Sequence, residues 1–290
     1  MRLWLIIILT IAAGLIILSW PSAPRTSQVE GLRIVSLSPA ITEILFELGL
    51  GRQIVGAAEY SDYPPEAKQI PRVGAYGEPN IELILRVRPG LVISQRISPE
   101  KMKLLQNKIS PVCLVLLLKI DTLAEIVESV QKIAQATGTL ERGQELVSGW
   151  QKKLKELDER FGHLAEADRV RVYVEVGSNP LRTCGPGTYL SEIIRLAGGK
   201  NLGDATGSLW PVISSETVVV WNPQVILVSG MTRSEDFKKE ISSRLGWENI
   251  QAVKTGRIIE LGDAYKRQGP RLFDQAEKLA NILHAPGPQE

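Results

Sequence analysis

Short runs of consecutive β-branched and leucine side chains recur along this chain, each followed by a stretch in which apolar residues return every third or fourth position. That alternation of periods is the pattern of strands feeding amphipathic helices. The first run, Arg33 to Ser36, passes through a turn at Ser38–Pro39 into a helix carrying Thr42, Glu43, Leu45 and Leu48 and ending at Gly49. Gln53 to Gly56 reads as a strand, Asn80 to Val87 as a helix, and Gly90 to Ser94 and Val112 to Leu117 as strands, with Pro89, Pro99 and Pro111 as punctuation. Together these predict an α/β lobe.

From Thr122 to Leu164 the strand pattern stops. Leu146, Trp150, Leu154, Leu157 and Phe161 fall at helical spacing. At 1.5 Å per residue, a helix over Leu140 to Leu164 is about 37 Å long, far more than a connection inside one α/β layer needs. It is read as a backbone between lobes, with an ordinary crossover helix as the alternative. A second lobe then opens with a strand at Val170 to Val176, a loop from Gly177 to Thr188 and a helix from Tyr189 to Ala197.

The two lobes repeat one order. Thr42-Glu43-Ile44-Leu45 is echoed 149 residues on by Ser191-Glu192-Ile193-Ile194, and Glu82 leading to Pro89 and a strand is echoed 134 residues on by Glu216 leading to Pro223 and a strand. The predicted fold is therefore α/β, with two pseudo-symmetric α/β lobes joined by a single long backbone helix and a ligand cleft between them. The expected organisation is 1–30 leader or anchor, 31–136 first lobe, 137–166 linking helix, 167–285 second lobe and 286–290 tail.

Length and composition agree with two ordinary domains. The chain has 290 residues, 34 Lys and Arg against 32 acidic residues, and 44% apolar content with 6% aromatic. A charge this balanced gives no field for nucleic acid. After Arg2, Leu3 to Trp20 is almost continuously apolar and no charge appears before Arg25. The run is long for the core of a signal peptide and close to a membrane span, so export with cleavage after the small residues Ser19, Ser22 and Ala23, or retention as an uncleaved anchor, are both open. No cysteine lies near it, which excludes a cysteine-linked lipid anchor. The two cysteines, Cys113 and Cys184, are read as free thiols, and with only two histidines no zinc site is expected.

Signs of catalysis are weak. There is no G-x-S-x-G, no P-loop and no dinucleotide fingerprint. His163 ends the charged rod, His284 is placed in the Pro/Gly-rich tail, and Glu43 and Glu47, one helical turn apart, are read as helix-surface charges. No catalytic residue, metal ligand or resident cofactor is assigned. Tyr60, Tyr63, Tyr76, Trp210 and Tyr265 instead fall in or beside loops, where rigid rings give broad contact to a partly apolar ligand. Arg182, Arg233, Lys266 and Arg267 lie in turns of the second lobe and suit phosphate, carboxylate or amide groups. Glu82 and Glu216 each follow a helix-capping Asn or Ser, which explains a carboxylate there. Their equivalence in the two lobes suggests a second use, one acidic knob per lobe for a two-fold partner with basic pockets.

The block Arg33-Ile34-Val35-Ser36-Leu37-Ser38-Pro39-Ala40, followed by Thr42-Glu43, Val55-Gly56 and Tyr60-Ser61-Asp62-Tyr63-Pro64-Pro65, resembles the two-lobed substrate-binding proteins of metal-chelate ABC importers. The likeness continues through Asn80-Ile81-Glu82, Asn179-Pro180, Gly198-Gly199, Trp210-Pro211, Ser214, Glu216 and Asp263 to Gly269-Pro270-Arg271. The resemblance implies an extracytoplasmic carrier, not an enzyme, whose cargo is cobalamin or another corrinoid, with ferric siderophore or haem as alternatives. It implies that Tyr60, Tyr76 and Trp210 stack on the cargo, and that Asp263 and Arg267 lie near it. Arg182 and Ala264, the latter beside Tyr265, stand where aromatic residues are expected. It further implies that Glu82 and Glu216 dock on a two-fold membrane permease driven by cytoplasmic ATPase subunits.

Overall fold

The computed structural model describes residues 31–229 and 236–285, so the leader 1–30, Arg233 and the tail 286–290 lie outside the described residues. The first lobe runs β1 (Ile34–Ser36), α1 (Pro39–Glu47), β2 (Ile54–Ala57), a hairpin of β3 (Gly74–Ala75) and β4 (Glu78–Pro79), α2 (Ile81–Arg86), β5 (Leu91–Ser94), α3 (Pro99–Lys108) and β6 (Leu114–Leu117). Its main sheet is parallel, in the order β2-β1-β5-β6.

After α4 (Leu123–Thr137) and α5 (Leu140–Phe161), the second lobe runs β7 (Val170–Glu175), a hairpin of β8 (Gly177–Ser178) and β9 (Leu181–Arg182), α6 (Tyr189–Leu196), β10 (Gly199–Asn201), α7 (Ser215–Trp221), β11 (Val225–Val228), α8 (Phe237–Ser242), α9 (Gln251–Lys254), β12 (Ile258–Glu260) and α10 (Arg271–His284). Its parallel sheet has the order β10-β7-β11-β12, strand for strand the order of the first lobe. The repeat in the sequence is thus a repeat of topology. Glu82 and Glu216 stand on the equivalent helices α2 and α7, which lead into the equivalent strands β5 and β11.

Both sheets are covered on both faces, which is why their central strands read as unbroken apolar runs rather than alternating ones. In β1 and β5, Ile34, Leu91 and Ile93 enter the core that faces α1 and α4, while Val35 and Val92 enter a separate cluster with Ile84 and Leu105 on the other face. In the second lobe Val172, Val174 and Leu227 join the first core, and Tyr173, Ile226 and Val228 pack with Trp247 on the far side. The apolar core passes from one lobe into the other along α4 and α5 without a break.

Those two helices form a brace in which α5, at 22 residues, is the long member. The chain reverses between them in two residues at Gly138, whose φ of 69° places it in the left-handed region. Gly143 lets the helices close, since a Cβ there would stand 2.6 Å from the Ala134 Cβ. At the turn, the Arg142 Nε donates to the Glu47 carbonyl of α1 at 2.9 Å. At the open end, the Leu123 N–H donates to the Glu192 carboxylate of α6 at 2.7 Å, and Trp150 and Phe161 stack on Phe273 and His284 of α10. Each helix therefore touches both lobes. The linking rod expected from Leu140 to Leu164 is in fact helical to Phe161 and has α4 laid along it.

Two expectations are corrected. His284 is the last residue of α10 and not part of the tail, with its ring 4.5 Å from Phe161 and its Nε2 2.9 Å from the Ala197 carbonyl oxygen. Glu43 is not a helix-surface charge: only 2% of it is exposed. Both cysteines are free, and burial pushes the Cys184 thiol up to about 12.

Candidate ligand cleft between the lobes

Parallel strands deliver their following loops to the carboxyl end of each sheet, and in both lobes the candidate side chains sit on those loops. On the first lobe Tyr60 follows β2 and is 73% exposed, with a φ of 63° that only a firmly held loop tolerates in a non-glycine residue. Tyr76 occupies the tip of the β3–β4 hairpin. Its hydroxyl accepts from the Gln95 Nε2 at 2.5 Å, and the Gln95 Oε1 in turn accepts from Ser38 at 2.9 Å, so the ring is oriented from the end of β5.

On the second lobe Arg182 ends the β8–β9 hairpin and donates through Nη1 to the Trp210 carbonyl at 3.3 Å. Trp210 packs edge-on against Tyr189, with centroids 6.4 Å apart and planes at 62°. The Tyr189 phenol is held above its ordinary value chiefly by burial. Tyr76 and Trp210 thus stand on loops of opposite lobes, 41% exposed and half-buried respectively.

The lobes are also joined directly by charge. Arg271 makes a bidentate pair with Glu43, its Nη2 at 2.6 Å and its Nε at 2.9 Å, and Nη2 also reaches Asp263 at 3.2 Å. Arg267 lies 2.7 Å from Asp62, 3.2 Å from Asp263 and 3.5 Å from Glu43. The Arg271 guanidinium also covers the Tyr63 ring at 4.0 Å. Glu43 and the Asp62–Tyr63 loop belong to the first lobe and the two arginines to the second, so five charged groups form an inter-lobe latch. Its hydrogen bond to Glu43 holds the Arg271 pKa above the ordinary arginine value.

The structure therefore separates the expected site residues. Tyr60, Tyr76, Arg182 and Trp210 are on loops, with side chains that reach solvent. Arg267 is 11% exposed and engaged by three carboxylates, with Asp263 beside it in the same latch. Tyr265 is buried at 4% exposure, with its hydroxyl donating to the Gln275 carbonyl and its own carbonyl accepting from Tyr189. A cavity of about 950 Å³ borders the latch through Glu43, Tyr63 and Arg271 but is lined by none of Tyr60, Tyr76 and Trp210. Sequence reasoning missed Gln95, Tyr189, and Glu43 and Arg271 as partners. Glu43 and Arg271 both stood in the quoted motifs, but 228 residues apart nothing links them.

Glu82 and Glu216 are both exposed, each the second residue of its helix. Asn80 caps α2 by accepting from the Leu83 N–H, and Ser214 caps α7 by accepting from the Thr217 N–H. The Ser214 hydroxyl also holds the Glu216 carboxyl below the usual range, so it is ionised at neutral pH. Among the described residues, no group of three or more His, Cys, Asp or Glu is arranged to hold a metal ion.

Residues 34–265 match the model of the family described as periplasmic binding protein. The vitamin B12-binding protein of Pectobacterium carotovorum is 31% identical over 258 residues, covering 88% of this chain and 90% of that protein. Among solved structures, the periplasmic vitamin B12 binding protein BtuF of Vibrio cholerae aligns with a TM-score of 0.70 and 29% identity, covering 87% of this chain and 96% of that one. The periplasmic heme-binding protein RhuT of Roseiflexus aligns with a TM-score of 0.77 and 27% identity, covering 87% and 98%. The chain belongs to the periplasmic binding protein family and is an extracytoplasmic substrate-binding protein that serves an ABC importer.

Proposed function

We propose that this family member captures cobalamin or another corrinoid between its lobes and delivers it to a two-fold permease driven by cytoplasmic ATPase subunits. The observation that carries the reading is the placement of solvent-reaching rings on loops of both lobes, Tyr60 and Tyr76 on the first and Trp210, packed on Tyr189, on the second. Rings presented from both sides suit a flat, largely apolar macrocycle, and phenol and indole donors suit its amide fringe. The state of Arg267 and Arg271 argues against a polyanion, leaving Arg182, bonded to the Trp210 carbonyl, as the exposed guanidinium among the candidate residues. Arg267 and Arg271 are already opposed by Glu43, Asp62 and Asp263, so neither offers a free positive charge to a siderophore carboxylate or catecholate. Similarity to the B12-binding proteins points the same way.

A haem cargo is the second reading, favoured by the exposed Tyr60 phenol, which is free to approach an iron axially. Titration separates the two. Cobalamin is expected to bind one to one and quench Trp210 fluorescence, while haem and ferric siderophores leave it unchanged at the same concentration. Saturable one-to-one binding of haem or a siderophore with no response to cobalamin would replace the corrinoid assignment.

Docking belongs to Glu82 and Glu216, which leave the lobes at symmetry-equivalent points and form no ion pair among the described residues. Replacing both by lysine is expected to leave cobalamin affinity within about twofold. Association with the importer in membrane vesicles should fall by at least about tenfold at low salt, because rim charges act on encounter and are screened by ions. Unchanged association at both low and physiological salt would remove the role.

A further inference from the structure

The pole of the first lobe farthest from the cleft has a surface of a different kind. There a cavity of about 690 Å³ is walled by Leu32, Leu85, Pro89, Ile109 and Val112 and rimmed by Arg33, Arg88 and Lys108. No carboxylate lines it, and none of the three cations forms an ion pair among the described residues. Arg33 is aimed by a hydrogen bond from its Nε to the Val87 carbonyl at 2.9 Å.

The apolar wall continues outward from this cavity. Val112 is 88% exposed, and Leu114, which opens the edge strand β6 beside Gly90 of the cavity, is 48% exposed. The fold does not require an apolar edge, as the twin lobe shows. Its equivalent edge strand β12 buries Ile258 and turns Glu260 to solvent.

Cations without counter-ions around an exposed apolar strip are complementary to one kind of surface, an anionic bilayer, in which phosphates meet the rim and acyl chains meet the strip. The chain also arrives here: Gly31 and Leu32 line the cavity, and only ten residues separate Gly31 from the end of the apolar run at Trp20. Ten extended residues reach at most about 35 Å. We propose that this pole is a membrane-surface face, binding anionic phospholipid through Arg33, Arg88 and Lys108 and seating Val112 and Leu114 at the headgroup boundary. A carrier held this way searches a surface rather than a volume for its importer.

The test uses the chain from Gly31 onward, which retains all of the core side chains, since these span Ile34 to Leu283. Co-sedimentation is measured with vesicles of phosphatidylcholine alone and of phosphatidylcholine mixed with phosphatidylglycerol. Three cations at the surface are expected to give about a hundred-fold preference for the mixed vesicles, lost in molar salt. Arg88→Glu with Lys108→Glu should cut that preference at least about tenfold. Val112→Ser with Leu114→Ser should lower binding to the mixed vesicles while leaving the salt dependence in place. Both pairs lie on the surface, and unchanged circular dichroism melting verifies that each is folded. Equal partition into the two vesicle types, or charge variants that bind as the parent does, would overturn the proposal. So would competition by millimolar inorganic phosphate, which would make the cavity a soluble-anion site, or a lipid-independent dimer paired through β6.

Discussion

Trp210→Ala is expected to weaken cobalamin binding by about thirtyfold or more, and Tyr76→Ala to do nearly the same from the opposite lobe. A buried aromatic anchor at the centre of an interface contributes about 2 kcal/mol or more, which is about a thirtyfold change in Kd. The two rings differ in how they are supported. Trp210 rests against Tyr189, so its loss removes one wall of the cleft, whereas Tyr76 is a hairpin tip steered by Gln95. Tyr76→Phe keeps the ring and releases only the Gln95 hydrogen bond, and should cost less than about fivefold. Because the rings lie on opposite lobes and meet only through the cargo, the double alanine variant should lose about as much as the two singles combined. Fluorescence and absorbance titrations on folded variants measure all of these. Alanine variants that each bind within about twofold of the parent would show that the cargo sits elsewhere.

Breaking the latch should have the largest effect on stability. Arg271→Ala removes two short hydrogen bonds from the Glu43 carboxylate, leaving that buried group with only the more distant Arg267. Removing one partner of a buried pair is expensive because the other stays desolvated, and about 3 kcal/mol is expected here. For a chain of this size that is a fall in Tm of about 6–12 °C. Arg271→Lys should recover only part of the loss, since an ammonium cannot repeat the planar two-point contact or cover the Tyr63 ring. Glu43→Gln should be comparably destabilising, because Arg267 and Arg271 then share only Asp62 and Asp263. The double variant Glu43→Met with Arg271→Met should be milder than either single change, since no charge remains buried alone. A fall in Tm below about 2 °C for Arg271→Ala, measured by calorimetry, would mean that the latch is screened by solvent and does not hold the lobes.

These two experiments act on different links. The aromatic variants change affinity with little change in Tm, and the latch variants change Tm through side chains outside the ring pair. The distinction follows from exposure: the rings are offered to solvent until cargo arrives, and the latch is already satisfied.

Much of the architecture could be read from local periodicity. The switch between strand runs and helical spacing located β1, β5, β7 and β11, and the ordered repeat of Glu82 and Glu216 foresaw two pseudo-symmetric lobes, to which the structure adds a shared strand order. Helix α4 and the two-residue reversal at Gly138 escaped that reading, because α4 shows its apolar stripe to α5 and both lobes at once and looks in sequence like more of the same rod. The small hairpins β3–β4 and β8–β9 escaped it as well, since two-residue strands have no period to detect.

The sequence by itself determined the lobes, their order and the exposed acidic knobs, because strand runs, capped helix starts and an internal repeat are local signals that survive without a partner. It also supplied the loop rings as candidates. Only the tertiary structure decided which candidates are offered to a ligand. Tyr265 and Trp210 are alike as loop aromatics, and packing put the first under α10 and left the second against Tyr189. Arg267 and Arg182 are alike as loop cations, and Glu43, far away in the chain but adjacent in space, engaged the first and not the second. Burial and charge pairing depend on what arrives from the other lobe, and a linear order of residues carries no record of that meeting.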